Sequence, residues 1–373
     1  MNIYEELNVQ PIINAAGTYT VLGGSKMSEK TLQDMASAAA NFVQIEDLQS
    51  KVYDEIAKLT KNEAACVSNG AAAGLYLAIA AAVQKKYGDS RFYYLDKEQI
   101  SKCNIVMFKA HRNPYDLVIS QLGVKYEEIA FPNLILPPTK EDLFETIDEN
   151  TAAFYYATSG WTSDGDMPLD EVIEVAKQKG IPIIVDAAAQ LPPVDNLWKF
   201  SEMGADITLF SGGKDLRGPQ SSGLIVGSNE FISIIKSLNF PSYGIGRMLK
   251  VGREELVGLY SAIKQYINMD HEARYDWSED EIEKLKTAFD NHHLFSVDRS
   301  YPNEAGQPIA RAYVKIKDNK VSFTDVQKWM MEGDVSIYIM SEEPGSFYVN
   351  PMCLYAGEME LIIEKLKDFS LRS

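Results

Sequence analysis

The sequence is poor in cysteine and histidine and has no long apolar run, and each shortage excludes a class of protein. Cys66, Cys103 and Cys353 lie far apart in the 373 residues, and none belongs to a CxxC pair. This argues against both a disulfide framework and a cysteine-based zinc site. The four histidines lack metal-ligand spacing, so we expect no metal. No run approaches the roughly 18 apolar residues of a membrane-spanning helix, so we expect no membrane partner.

Positive charge is also scarce. Lysine and arginine total 36 against 53 acids, which gives a formal net charge of −17 at pH 7. An acidic surface repels phosphate backbones, so a nucleic-acid partner is not expected. The first residues, MNIYEELNVQPIINAAG, contain two early acids and no basic segment of the kind that opens a secretory signal. Together with three unpaired cysteines, this favours a cytoplasmic location.

Between about residues 50 and 260, short apolar runs alternate with helix-like segments. The apolar runs are NIVMF, AAFYYA, IPIIVDAAA, DITLFS and SGLIVG. The segment DEVIEVAKQKG is amphipathic and ends at Gly180, a typical residue at the end of a helix. Strands that are apolar throughout and alternate with helices predict an α/β fold, with a mainly parallel sheet covered on both faces.

The pattern changes near residue 265. Capping-box motifs that begin at Ser278 and at Ser322 predict two helix starts. The strand-like runs IARAYVKIK, VSIYIMS and SFYVNP then precede a final helix, GEMELIIEKLKDF. We therefore predict a small α+β domain at 265–373 and a large domain at 51–264. Residues 1–50 are predicted to form an extended arm and a first helix.

One lysine stands in an unusual setting, the stretch DITLFSGGKDLRGPQSSGLIVG. A lysine in a turn is ordinarily a solvated surface residue, but Lys214 follows an apolar strand directly. Asp186 ends the preceding strand, IPIIVD, one strand–helix–strand unit earlier. Ligands of open parallel sheets bind beyond the carboxyl ends of the strands, so the acid and the lysine should meet at one edge. Taken alone, Asp186 is equally well explained as the N-cap of a helix.

A third element lies upstream, in CVSNGAAAG, where a strand turns into an alanine-rich helix. Small residues let a ligand approach the backbone N–H groups, and the N-terminus of a helix favours phosphate. Neither a Walker motif nor GxGxxG is present. A lysine for an imine, a carboxylate for a pyridine nitrogen and a helix end for a phosphate are what pyridoxal 5'-phosphate (PLP) requires. Ser211 and Arg217, three residues on either side of the lysine, are further candidate phosphate ligands.

These motifs resemble a known family. FSGGKDLRGPQSSGLIVG, with SNGAAA upstream and VGREELVGLYSAIKQY downstream, is similar to fold-type I PLP enzymes related to bacterial selenocysteine synthase (L-seryl-tRNA selenium transferase). The similarity is greatest to the shorter D-glucosaminate-6-phosphate ammonia-lyase branch. It covers roughly residues 8–265, and it implies a large domain of the aspartate aminotransferase type, in agreement with the α/β pattern.

The resemblance also implies roles for individual residues. Lys214 would be the Schiff-base lysine and Asp186 the partner of the pyridine nitrogen. The phosphate cradle would consist of Ser68, Asn69, Gly70, Ala71 and Ala72. Ser159, in YATSGW, would lie near the cofactor where the synthases have TSN, although Gly160 replaces that asparagine.

The residue that stacks on the cofactor ring is harder to assign. His111, in KAHRNPY, is our candidate, and a hydrogen-bonded histidine in a strand–helix loop is an equal alternative.

A substrate anion site is predicted in an acid-free stretch. No Asp or Glu occurs from Phe231 to Arg253, although acids outnumber bases in the chain. We predict an anion pocket built from Arg247, Lys250 and Arg253, because the planar guanidinium binds phosphate or carboxylate oxygens in pairs. The alternative is that these cations pair with acids elsewhere on the surface. Gln220, in the GPQ motif, is a further candidate for substrate binding.

The resemblance implies a lyase that acts on a β-hydroxy amino acid and yields a 2-keto acid and ammonia. On the ammonia-lyase branch the substrate would be a phosphorylated amino-sugar acid, and the freed amine of Lys214 would take the α proton. A tRNA-dependent selenium transferase is disfavoured by the charge and by the absence of room for the synthases' extra N-terminal RNA-binding region. A PLP-binding protein without catalysis is the third possibility. Fold-type I enzymes complete one chain's site with another chain, so we expect a homodimer or larger assembly.

Overall fold

The structure is a computed structural model that describes residues 3–88, 97–129, 137–158, 160 and 166–372. In this part of the chain the α-helices are α1 (Ile3–Glu6), α2 (Glu29–Ala39), α3 (Ile45–Leu59), α4 (Gly70–Tyr87), α5 (Lys97–Lys102), α6 (Leu117–Gln121), α7 (Lys140–Thr146), α8 (Leu169–Lys179), α9 (Asn196–Met203), α10 (Asn229–Leu238), α11 (Arg253–Ile267), α12 (His271–Ala288), α13 (Phe323–Met331) and α14 (Glu358–Ser370). The strands are β1 (Ile12–Asn14), β2 (Ala64–Ser68), β3 (Asn104–Phe108), β4 (Lys125–Ile129), β5 (Thr151–Ala157), β6 (Ile183–Asp186), β7 (Ile207–Ser211), β8 (Gly223–Gly227), β9 (Phe295–Ser300), β10 (Arg311–Ile316), β11 (Ser336–Tyr338) and β12 (Ser346–Val349).

The chain divides into two compact units. The large unit is continuous, from residue 27 to residue 268, and the small unit combines residues 1–26 with residues 269–373. The segment predicted as an arm with a first helix is thus shared between the two units, because its first 26 residues group with the C-terminal part of the chain.

The large unit contains a seven-stranded sheet in the order β2-β8-β7-β6-β5-β3-β4. Six strands run in the same direction, and β8 is antiparallel to both of its neighbours. Strands β2, β3 and β8 are buried at every position, because consecutive side chains point to opposite faces and both faces are covered. The predicted mainly parallel sheet is confirmed.

Helix α4 is the most deeply buried helix of this unit. Its residues from Ala73 to Val83 are buried on all sides, and their mostly small side chains allow the helix to lie close to the sheet. A Cβ atom at Gly74 would lie 3.0 Å from the Ser68 Oγ atom and 3.3 Å from Ile225 Cγ1. The helix predicted from its alanine-rich sequence is therefore present. The predicted end of α8 is also confirmed, since Gly180 adopts the left-handed conformation with φ 68°.

The small unit packs helices against antiparallel strands. Its three-stranded sheet has the order β12-β10-β9, and β1 pairs in parallel with β11. Apolar side chains of α12, α13 and α14 form one core with these strands, and Ala15 joins it from the N-terminal segment. The predicted capping box at Ser322 is confirmed at the start of α13, where the Ser322 and Asp325 side chains each accept a hydrogen bond from the other's backbone N–H. Of the helices in the described ranges, none is both long and apolar enough to cross a bilayer.

Helix α12 corrects the other predicted helix start. It begins at His271, and its N-cap is Asp270, whose side chain accepts a hydrogen bond from Ala273 N at 2.9 Å. Ser278 lies buried inside the helix and donates its hydroxyl hydrogen to Arg274 O at 3.0 Å. The prediction was wrong because a serine can satisfy its hydroxyl within a helix, so the motif alone does not mark a start.

Candidate active site

Neighbouring strands β6 and β7 bring Asp186 and Lys214 to the same edge of the large sheet. Asp186 is the last residue of β6, and it pairs in register with Leu209 of β7. Strand β7 ends at Ser211, and two glycines separate that residue from Lys214. Burial raises the pKa of Asp186, and the positive charge of Lys214 offsets part of this rise. The predicted juxtaposition of the two residues is therefore present in the structure.

The turn that carries Lys214 is tightly folded. A Cβ atom at Gly213 would lie 2.5 Å from the Gln220 Cα atom, so the backbone at this position excludes any side chain. Arg217 adopts the left-handed conformation with φ 55°, and its N–H donates to Lys214 O at 3.0 Å. Gln220 itself is exposed, whereas Lys214 and Arg217 are half-buried. The turn thus fixes the backbone on both sides of the lysine.

A buried hydrogen bond holds the next residue. The hydroxyl of Tyr266, in α11, donates to Asp215 Oδ2 at 2.8 Å. Tyr266 is 1% exposed and Asp215 2% exposed, so this bond is protected from competing water. Through this hydrogen bond, α11 holds the turn that carries Lys214 in place.

The candidate phosphate cradle lies between β2 and α4. The hydroxyl of Ser68 donates to Gly70 O at 2.9 Å, which closes the turn into the helix. A Cβ atom at Gly223 would lie 2.5 Å from the Gly70 carbonyl carbon, so the first residue of β8 runs directly against this turn. A Cβ atom at Gly70 would meet nothing within 4 Å. There is thus open space beside the first turn of α4, whose N–H groups have no intrahelical acceptors.

The segment with the predicted anion-binding cations approaches this cradle. The side-chain amide of Asn69 donates to Lys250 O at 3.2 Å. The guanidinium of Arg247 lies over the rings of Phe240 and Tyr243, at 5.0 Å and 5.7 Å from their centroids. Within the described residues, neither Arg247 nor Lys250 forms an ion pair with an acid. Both cations therefore remain available to an anion. Ala71 and Ala72, in the first turn of α4, are half-buried.

Arg253 differs from these two cations. Its Nε atom lies 3.1 Å from Glu254 Oε1, and its Nη2 donates to Ala39 O at 2.8 Å. These contacts place its charge beside a carboxylate and join the start of α11 to the end of α2. The alternative of a paired surface cation thus describes Arg253 better than it describes Arg247.

The carboxylate of Asp186 is held by two donors. Its Oδ1 accepts from Ala188 N at 3.1 Å, and its Oδ2 accepts from the Tyr155 hydroxyl at 3.0 Å. Burial raises the pKa of Asp186 above the ordinary value of 3.8, and the two hydrogen bonds and the charge of Lys214 reduce this shift without cancelling it. A protonated pyridine nitrogen would compensate the buried charge, so this carboxylate suits the ring of PLP.

His111 is fully buried in the short 3-10 turn that follows β3. Its Nδ1 accepts from Ala157 N at 3.2 Å, and its Nε2 donates to Asp166 Oδ2 at 2.7 Å. The ring meets that of Tyr156 edge-on, with 4.6 Å between the centroids. The geometry agrees with the alternative of a hydrogen-bonded loop histidine, and the stacking role stays a prediction. Ser159, the other residue predicted near the cofactor, lies outside the described residues.

Sequence reasoning missed Tyr155. Its side chain is fully buried in β5, and its hydroxyl contacts both Asp186 and Asn113. The available signal was a tyrosine in the otherwise apolar run AAFYYA, because a buried phenol hydroxyl needs a polar partner. The partner could not be named, because Asn113 lies in a loop 42 residues earlier.

Comparisons with known proteins agree with this architecture. D-glucosaminate-6-phosphate ammonia lyase of Salmonella typhimurium is 29% identical over 379 aligned residues, which cover 99% of this chain and 98% of the relative. The 5'-C-glycyluridine monooxygenase-decarboxylase of a Streptomyces species is 28% identical, over 99% of this chain and 92% of the relative. The solved structure of a D-glucosaminate-6-phosphate ammonia-lyase superposes with a TM-score of 0.85 at 28% identity, over 100% and 99% of the two chains.

A family model described as L-seryl-tRNA selenium transferase (SelA) matches residues 12–276. This match covers well over half of the chain, including the lysine turn, Asp186 and the α4 N-terminus. The predicted fold-type I fold and the predicted relationship to selenocysteine synthase are confirmed. The chain belongs to the SelA family.

Proposed function

We propose that the chain is a PLP-dependent ammonia-lyase that catalyses α,β-elimination from a β-hydroxy amino acid, with D-glucosaminate 6-phosphate as the first candidate substrate. The observation that carries this proposal is that β2, β6 and β7 run in the same direction, so Asp186, Lys214 and the α4 N-terminus all lie at the edge of the sheet where these strands end. Alignment over nearly the whole chain with an ammonia lyase supports the choice of reaction.

Each part of the site has a counterpart in the cofactor. When bound, PLP supplies an electron sink for the charge that develops at the substrate Cα. We assign Lys214 to covalent attachment and Asp186 to the ring nitrogen. The first turn of α4, from Ser68 to Ala72, takes the phosphate, with Ser211 and Arg217 as further ligands. The open space beside Gly70 fits this role, and His111 stays the candidate for ring stacking.

The protein's own part in the reaction is proton transfer. The amine of Lys214, once released by the substrate amine, takes the proton from the substrate Cα. That proton would then leave with the β-hydroxyl as water, and hydrolysis of the released enamine would give a 2-keto acid and ammonia. The folded turn keeps Lys214 at the sheet edge during these steps, because its backbone is fixed at Gly213 and Arg217.

A phosphorylated substrate is supported by the cations beside the cradle. We expect Arg247→Ala to raise the KM for D-glucosaminate 6-phosphate roughly ten- to a hundredfold, the usual loss for one charge-assisted contact. Cofactor absorbance should stay unchanged. Steady-state kinetics and an absorbance spectrum of the purified variant measure both effects.

Lys236→Ala is the matched control, because Lys236 lies in the same acid-free stretch with its ammonium over the Tyr53 ring. Its KM should be that of the wild type. If both Arg247→Ala and Lys250→Ala leave the KM unchanged, this stretch is a surface, and the phosphorylated substrate loses its support from residues. Gln220→Ala tests the remaining candidate in the same assay.

Family membership leaves the reaction open, since one fold hosts many chemistries. The deciding experiment is a screen of the protein with PLP for 2-keto acid and ammonia from D-glucosaminate 6-phosphate, serine and threonine. Oxygen consumption and carbon dioxide release are recorded in parallel, because one relative is a monooxygenase-decarboxylase. Oxygen uptake without formation of a 2-keto acid would contradict the lyase proposal and favour a monooxygenase-decarboxylase reaction. Gel-shift binding of tRNA above that of other polyanions would favour a selenium transferase, and we expect none.

We also propose a homodimer or larger assembly. Phe42, Tyr243 and Met248 are 97%, 80% and 71% exposed, unusually high values for large apolar side chains. Phe42 lies under Arg253, and Tyr243 lies under Arg247, so this apolar surface borders the cation segment. Sedimentation at micromolar concentration should give at least a dimer. A fully active monomer would contradict the proposal.

A cytoplasmic location is proposed as well. Cys66 and Cys103 are buried free thiols, which is typical of proteins from reducing compartments. Cell fractionation followed by immunodetection tests this, and recovery outside the cytoplasmic fraction would refute it.

A further inference from the structure

A chain of hydrogen bonds leads from Asp186 across the sheet. Tyr155 lies two residues before Ala157, the residue that pairs with Asp186 between β5 and β6. The period of two along a strand places Tyr155 on the same face as Asp186. Its hydroxyl lies 3.0 Å from Asp186 Oδ2, and Asn113 Nδ2 lies 3.0 Å from the same hydroxyl. Among the described residues, Tyr155 makes the only side-chain hydrogen bond to Asp186.

The amide of Asn113 fixes which group donates and which accepts in this series of hydrogen bonds. Its Nδ2 also donates to His111 O at 3.0 Å, and its Oδ1 accepts from Tyr115 N at 2.9 Å. These two partners determine which amide atom is nitrogen and which is oxygen. Because an amide nitrogen only donates, the Tyr155 oxygen accepts from Asn113, and its one hydrogen goes to Asp186.

The loop that holds Asn113 is itself pinned. The backbone N–H of Asn113 donates to Asp116 Oδ2 at 2.9 Å, and Arg112 Nε donates to the same oxygen at 2.6 Å. Asp116 is 3% exposed, so these bonds are protected from water. The amide of Asn113 is therefore presented to Tyr155 in one orientation by a loop with its own buried anchor.

We propose that Tyr155 is a positioning residue that keeps Asp186 ionised and turned toward the cofactor's ring nitrogen, with Asn113 setting the direction of the hydrogen bond. This inference rests on the proposed function, because it takes Asp186 to be the partner of that nitrogen. The Tyr155 hydroxyl lowers the basicity of the carboxylate. Without this hydrogen bond the carboxylate competes better for the proton that it shares with the ring nitrogen.

The test measures where that proton lies. Wild type, Tyr155→Phe and Asn113→Asp are loaded with PLP labelled with ¹⁵N in the ring, and the ¹⁵N chemical shift is recorded as a function of pH. Tyr155→Phe removes the donor, so the signal should move toward that of an unprotonated ring, and kcat should fall roughly ten- to a hundredfold with little change in KM. Asn113→Asp keeps Tyr155 but offers its hydroxyl a carboxylate acceptor. The hydroxyl then turns away from Asp186, and the ¹⁵N signal should move in the same direction.

Tyr156→Phe is the matched control. It is the same substitution one residue later in β5, and the hydroxyl it removes contacts Met167 O at 3.2 Å rather than Asp186. Its ¹⁵N signal should equal that of the wild type. An unchanged signal in Tyr155→Phe or in Asn113→Asp, or an equal change in Tyr156→Phe, overturns the inference. If Tyr155→Phe does not fold, Asn113→Asp decides alone. A wild type that binds no PLP refutes the proposed function itself, which is a different result from bound PLP with an insensitive ring nitrogen.

Discussion

Lys214→Ala should lose the visible absorbance of lysine-bound cofactor and nearly all turnover. The variant lacks both the amine that forms the covalent bond and the base that takes the α proton, and loss of a positioned base alone costs roughly a hundred- to ten-thousandfold in rate. Borohydride reduction of the wild type followed by peptide mapping should locate the cofactor on Lys214. Lys214→Arg keeps the positive charge near Asp186 but cannot form the imine, so it should be as inactive as Lys214→Ala.

Lys58→Ala provides the control for this experiment. Lys58 lies in α3, with 71% of its side chain exposed and one surface pairing to Glu55, so the variant should keep its colour and its activity. A wild-type protein that remains colourless with added PLP, or a borohydride label on another lysine, would contradict the assignment of Lys214.

Asp186→Asn should retain much of the bound cofactor and lose most of its turnover. Asparagine keeps the shape of aspartate but cannot balance the charge of a protonated ring nitrogen, so the electron sink is weakened. The expected loss in kcat is several orders of magnitude, measured on the same substrate as for the wild type. Near-normal kcat in Asp186→Asn would mean that another acid serves the ring.

Asp186→Asn lowers turnover, but we expect it to favour the stability of the cofactor-free protein increasingly as the pH rises. Burial raises the pKa of Asp186 above 3.8, so between that value and the folded-state pKa the native protein holds more protons than the unfolded chain. Its free energy of unfolding therefore falls as pH rises through this interval. Asp186→Asn lacks this titration. Its stability relative to wild type should increase with pH from about 4 upward, as measured by urea unfolding of both apoproteins at a series of pH values. A difference that does not change with pH would show that the carboxyl is solvated in the native state.

The parts of the fold that were predictable are those encoded by neighbouring residues. The strand around Ile207 and the end of α8 at Gly180 each follow from a few adjacent side chains, and both are present. The proximity of Asp186 and Lys214 could be predicted because the carboxyl ends of neighbouring parallel strands lie at the same edge of a sheet.

The parts that were not predictable depend on contacts between distant segments. The bond from Tyr155 to Asp186 depends on strand order, and its direction depends on a loop amide at Asn113. The start of α12 depended on Asp270, whereas the motif at Ser278 gave a competing local signal. The sequence also could not show which cations of the acid-free stretch are paired and which are available. Arg253, for example, donates to the backbone oxygen of Ala39, which lies in another helix.

The pairing of β1 with β11 has a consequence for synthesis on the ribosome. Ile12 is in register with Ser336, 324 residues later in the chain. At about 5–20 residues per second, Ser336 is added about 16–65 s after Ile12. Throughout this interval the edge of β1 has no strand to bind, and the continuous segment from residue 27 to residue 268 is completed before Ser336 is added. The first residues to leave the ribosome are therefore among the last to reach their final positions.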